Sequence, residues 1–111
     1  MRPNEVELFA LERLFSGAEP ICEAIRRGLG GAIVVDRSLT GVGFFSTIRF
    51  VTSLPESEQR QWDWNFSHSQ LPNGGTFMAW REGADVIELE AVSHFGDWPI
   101  TFNASDFVDT P

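Results

Sequence analysis

The sequence has no lysine and no tyrosine, one cysteine, two histidines and no long apolar run. Each shortage closes a class of function. A single Cys permits no internal disulfide framework and no structural zinc centre of the usual four-ligand kind. Eight basic residues, all Arg, stand against sixteen acidic ones, a formal net charge of −8. A nucleic-acid binder needs the opposite sign to displace counterions. Apolar runs such as Ala32-Ile33-Val34-Val35 fall far short of the ~20 residues that cross a bilayer. The start, Met1-Arg2-Pro3-Asn4-Glu5, lacks the apolar segment of a signal peptide. The expectation is a cytoplasmic protein with no membrane or nucleic-acid partner. In that setting the sequons at Asn65 and Asn103 are chance matches, and Cys22 is an ordinary small residue.

What remains is a chain of 111 residues, enough for one domain, with ten Phe and four Trp. Fourteen large aromatics are incompatible with a disordered tail. The chain divides into a helical front over 4–31 and a strand-rich part over 32–105. Asn4 and Glu7 have the N-x-x-E spacing of a capping box. Leu8, Leu11, Leu14 and Phe15 follow at helical spacing, and Gly17 is a stop. Pro20 suits the first turn of a second helix, with Ile21, Ala24, Ile25 and Leu29 on one face. Arg26 and Arg27 complement its C-terminal dipole, and Gly28 and Gly30-Gly31 end it.

From Ala32 the period changes to two. Ile33 to Val35 has strand composition, and Leu39-Thr40-Gly41 makes a tight turn. Val42, Phe44, Ile48 and Phe50 then alternate with Gly43, Phe45, Thr47 and Arg49. After a polar loop, Trp62, Trp64, Phe66 and His68 face one way and Asp63, Asn65 and Ser67 the other. Pro72-Asn73-Gly74-Gly75 reads as a turn. Thr76 to Arg81 and Ala84 to Ser93 read as strands joined at Glu82-Gly83, a register that sets Met78 opposite Ile87 and Trp80 opposite Asp85. Ile100-Thr101-Phe102 is a candidate last edge, and Asp106 to Pro111 a frayed tail. Helices first and strands after give an α+β fold: two N-terminal helices packed on an antiparallel sheet of four or five strands. No βαβ alternation supports a parallel nucleotide-binding sheet.

Three segments carry a resemblance: Arg37-Ser38-Leu39-Thr40-Gly41-Val42-Gly43-Phe44-Phe45-Ser46, Trp80-Arg81-Glu82-Gly83, and Ile87-Glu88-Leu89-Glu90 followed by Gly96-Asp97-Trp98-Pro99. Together they resemble a group of small uncharacterised bacterial proteins with a TGVGFF strand, a DG hairpin, an LEG strand end and a GD-WP turn. The chain departs from that pattern at Glu82, where the group has Asp, and at Ala91, where it has Gly. The resemblance implies a shared fold between Arg37 and Pro99 and assigns no catalytic residue.

Candidate sites follow from side-chain chemistry. The face of Trp62, Trp64, Phe66 and His68 is either the sheet's share of the core or an aromatic platform for a ligand. Glu88 and Glu90 point to one face and could do acid–base work or stay solvated, and Asp97 beside Trp98 lies in a turn. His68 and His94 have no metal-ligand spacing. Gly41-Val42-Gly43 and Gly28-Leu29-Gly30-Gly31 lack the full phosphate-loop pattern, so Gly41 and Gly43 serve a bulge or a close helix crossing. Arg37, Arg49 and Arg81 could bind an anion or pair with carboxylates. Phe45 alternates with Phe44, so either both sheet faces are covered or Phe45 is exposed on a contact surface.

These residues point first to a non-enzymatic protein-interaction module, with Phe45, Glu88, Asp97 and Trp98 on its surface. Its partner would be a second copy of the chain or, as an immunity-like protein, a basic toxin-like protein. The alternative is a small-molecule binder or small enzyme with a cleft between helices and sheet, lined by Trp62, Trp64, His68, Trp80 and Glu90. No catalytic set, metal site or cofactor motif is present in the sequence.

Overall fold

A computed structural model describes residues 1–110. Two helices, α1 (Glu5–Leu14) and α2 (Pro20–Gly28), precede β1 (Ile33–Leu39), β2 (Gly43–Arg49), β3 (Gln61–His68), β4 (Leu71–Arg81), β5 (Val86–Ser93) and β6 (Phe107–Asp109). The strands form one sheet in the order β1-β2-β5-β4-β3-β6, and every neighbouring pair is antiparallel. The α+β class holds, with six strands where four or five are expected.

The capping box at α1 is complete. The Asn4 side chain accepts from the Glu7 N–H at 2.9 Å, and Glu7 accepts from the Asn4 N–H at 2.8 Å. The same Glu7 is fully buried, so the stripe that α1 lays on the sheet is Glu7, Ala10, Leu11 and Leu14, continued by Phe15. Its carboxylate receives Arg37 of β1 in a two-point contact, Nε at 2.9 Å and Nη2 at 2.6 Å. The Ser46 hydroxyl of β2 donates to it as well. Burial pushes the Glu7 carboxyl up, but Arg37, Ser46 and the Asn4 amide together hold it below its ordinary value. One acid thus finishes a helix cap and ties that helix to two strands. In α2, Pro20 occupies the first turn and Ile21, Cys22 and Ile25 are buried.

The helix-covered face of the sheet carries the core. Phe66, Phe77, Ile48, Ile87 and Leu89 are fully buried. Phe9 of α1 packs into an aromatic cluster with Trp64, Phe77, Phe102 and Phe107, with centroids 5.2–6.2 Å apart. Trp62 rests on Phe15 at 4.7 Å.

Three local readings are corrected. The turn between β3 and β4 falls at Ser69-Gln70, and Pro72 to Gly75 lies inside β4. Gly74 has φ +65°, and a Cβ there would sit 2.1 Å from the Phe66 carbonyl oxygen, so the Gly pair serves a close approach inside a ladder. The β4–β5 register sets Met78 opposite Glu90, Trp80 opposite Glu88 and Arg81 opposite Ile87. Its turn is longer than Glu82-Gly83 because the Glu82 N–H closes onto Val86 O at 3.0 Å. Buried Arg81 donates to the carbonyls of Gly83 and Ala84, and also to those of Leu54 and Pro55. Finally, Ile100 to Phe102 is not a strand. The last edge is Phe107–Asp109, within the stretch read as a frayed tail, of which Pro111 lies outside the described residues. Phe107 is buried among aromatics, while Asp109 pairs with Arg13 and accepts from the Trp64 indole at 2.7 Å.

Candidate functional site: the open face of the sheet

Both helices lie on one side, so the alternate residues of β2, β5, β4 and β3 form a face that no other element covers. Strand register places its rows. Phe45, Glu90, Met78 and Asp63 lie side by side across β2, β5, β4 and β3. The next row is Thr47, Glu88, Trp80 and Gln61. Side chains so opposed are roughly 4.5–5.5 Å apart at Cβ. Phe45 is 39% exposed, while Glu88, Glu90, Met78 and Trp80 are half-buried by one another. The sheet is therefore covered on one face only, and Phe45 stands on the other.

The two glutamates differ. Glu88 accepts from Thr47 Oγ1 at 2.7 Å. Glu90 has no hydrogen-bonding or ionic partner among the described residues. Desolvation between Phe45 and Met78 raises its carboxyl above the ordinary value. Glu90 is thus an acid set on apolar ground without a cation among the described residues.

A polar corner adjoins these rows. Thr76 Oγ1 donates to Asn65 Oδ1 at 2.6 Å and lies 2.7 Å from His94 Nε2. His94 Nδ1 is 3.0 Å from the Asn73 carbonyl oxygen. The hydroxyl is buried beneath the exposed imidazole, which closes this corner rather than presenting a nucleophile.

The cleft expected between helices and sheet does not gather its five residues. Trp62, Trp64 and His68 are on the helix side, whereas Trp80 and Glu90 are on the open side. Trp62 and His68 are buried, so the face they share is core and not a platform. His68 Nδ1 accepts from the Gln70 N–H at 3.0 Å, and its Nε2 is buried without a partner. Burial pushes the His68 imidazole below its ordinary value, against an opposing pull from Asp106. The cavity that does lie between α1 and the sheet, about 340 Å³, is lined instead by Arg37, Phe44, Trp98 and Phe102 among others.

The four expected surface residues also divide. Phe45 and Glu88 share the open face, but Trp98 packs on Phe44, Phe66 and Phe77 of the covered face. Asp97 is exposed in the loop beside it. Met78 is missing from the expected surface, because the expected register pairs it with Ile87 of the core. The strand's own alternation, with Phe77 and Ala79 inward, is the signal that places it outside.

Of the arginines, Arg37 gives two of its nitrogens to Glu7 and Arg81 bonds carbonyls, while Arg49 is exposed. Gly43 packs against β5, not a helix: a Cβ there would lie 1.7 Å from the Ala91 carbonyl oxygen. Among the described residues no three His, Cys, Asp or Glu side chains gather to hold a metal, and no helix is long and apolar enough to cross a membrane. No family model, curated protein or solved structure matches the chain.

Proposed function

We propose that the chain is a non-enzymatic interaction module whose open sheet face covers a basic surface on a protein partner. The supporting observation is the row Phe45–Glu90–Met78, an apolar strip with an uncompensated carboxylate at its centre. Apolar contact would supply affinity, and the acids would select the partner and speed its approach. Self-association is disfavoured by the same residues. Two copies meeting through this face would bring Glu88 and Glu90 toward their own kind, on chains of net charge −8. An immunity-like role, in which an acidic chain masks a basic toxin-like protein, is one form of this reading.

The test is titration of the ¹⁵N-labelled chain with a synthetic peptide of alternating Leu and Arg. Amide shifts should concentrate on β2, β5 and β4. The pair Phe45→Ala and Glu90→Gln should each weaken binding about tenfold or more, as central contacts do. Glu12→Gln on α1 removes the same charge from the opposite side and should change little. Equal weakening by Glu12→Gln would reduce the effect to net charge and overturn the proposal. So would light scattering that shows a dimer dispersed by Phe45→Asp.

A further inference from the structure

The cavity between α1 and the sheet is unrelated to the open face and lies on the other side of the molecule. Its volume of about 340 Å³ falls in the range of small-molecule pockets. Its walls come from segments far apart in sequence. Arg37, Leu39 and Phe44 arrive from the first hairpin, and Trp98, Ile100 and Phe102 from the loop after β5. Two motifs singled out in the sequence, Gly41-Val42-Gly43-Phe44 and Gly96-Asp97-Trp98-Pro99, meet here. The Trp98 N–H donates to the Gly41 carbonyl at 2.9 Å, locking loop to hairpin.

The chemistry of the wall is one-sided. Arg37 gives Nε and Nη2 to Glu7, while its Nη1 meets only the Met1 sulfur at 3.3 Å, a weak acceptor. The Trp98 indole N–H has no acceptor among the described residues. No Asp or Glu lines the pocket, and Glu7, which holds Arg37, is consumed by Arg37, Ser46 and the Asn4 amide. Two lining residues, Arg37 and Trp98, thus each keep an N–H unspent, beside aromatic walls and no lining acid. Its rim is apolar and uncovered: Ile100 is 100% and Leu39 82% exposed.

We infer that this pocket binds a small carboxylic acid with an aromatic or branched apolar body. The carboxylate would take the free Arg37 and Trp98 donors, and the body would lie against Phe44 and Phe102 under the rim. Charge-assisted bonds are the strong ones, so the acid should be preferred over neutral analogues.

The experiment titrates the ¹⁵N-labelled full chain with 3-phenylpropionate and, separately, with 3-phenylpropanol, following the Trp98 indole and Arg37 Nε resonances. The acid should give saturable shifts, and the alcohol should bind at least about tenfold more weakly. Arg37→Lys keeps a cation for Glu7 but removes the free nitrogen, and should weaken the acid by a similar factor. Should Arg37→Lys fail to fold, Thr101→Trp decides: it fills the mouth without touching the Glu7 pair and should abolish the shifts. Equal binding of acid and alcohol would overturn the inference. So would shifts that persist in Thr101→Trp, or none that saturate below about 10 mM. Loss of peptide binding by the open face would leave these outcomes unchanged.

Discussion

On one face of the sheet Phe44, Phe77 and Leu89 are buried, while one residue along each strand, on the other face, Phe45, Glu90 and Met78 have no helix above them. The same strands supply both. On the covered face every charge is answered: Glu7 is buried but held by Arg37, Ser46 and a helix cap. On the open face Glu90 is half-buried and unanswered. A domain that folds alone must satisfy its buried polar groups. His68 Nε2 is the exception on the covered face, buried without a partner.

This contrast can be broken by experiment, most strongly through aromatic truncation. Phe77→Ala should cost ~3–5 kcal/mol in urea denaturation, because it opens a cavity in the aromatic cluster. Phe45→Ala should cost under about 1 kcal/mol, in line with surface positions. Equal losses would mean that the open face is part of the core.

Next in size is the buried ion pair. Glu7→Ala leaves Arg37 without its carboxylate and should destabilise by about 3 kcal/mol. Glu12→Ala, exposed on the same helix, should change little.

Acidification should act through the covered face. His68 and Glu7 both have folded-state values below their ordinary ones, so each contributes stability at higher pH that is lost on protonation. The loss begins below pH 6.5 through His68, then continues below pH 4.5 through Glu7. His68→Phe should flatten the first segment of a Tm-against-pH curve, and an unchanged slope there would refute the assignment.

The smallest effect belongs to Glu90. Its carboxyl is raised, so the folded state holds that proton more tightly than the unfolded one, and ionisation above the ordinary value of 4.5 costs stability. Glu90→Gln should therefore raise Tm slightly at pH 7 and leave it nearly unchanged at pH 3. A fall at pH 7 would show that the carboxylate is answered within the chain.

Much of the local architecture was legible residue by residue. Asn4-x-x-Glu7 marks a helix start because both side chains reach backbone groups within one turn. Pro20 marks another because its missing N–H needs no partner there. The alternation from Trp62 to His68 names the inward side chains of β3: Trp62, Phe66 and His68 are buried and Trp64 is half-buried. The failures share a cause. Gly74-Gly75 looks like a turn because Gly favours turns, yet a positive φ also serves a close approach between strands. The β4–β5 turn is longer than expected, and Arg81 at the end of β4 folds onto the carbonyls of Gly83 and Ala84 while also reaching those of Leu54 and Pro55. That three-residue difference in register is odd, so it moves Met78 from the core side to the open side. Strand β6 is three residues long and depends on Phe107 meeting Phe9, Phe66 and Phe77, which only a folded chain brings together.

The single Cys by itself determined that no internal disulfide framework can form. Periodicity determined the helices, most strands and the inward side of β3, because those follow from contacts a few residues apart. Tertiary structure alone decided that Glu90 falls between Phe45 and Met78, and that Arg37 and Trp98 border one cavity. Those outcomes rest on strand order and register, which are set by packing between residues tens of positions apart and leave no local trace.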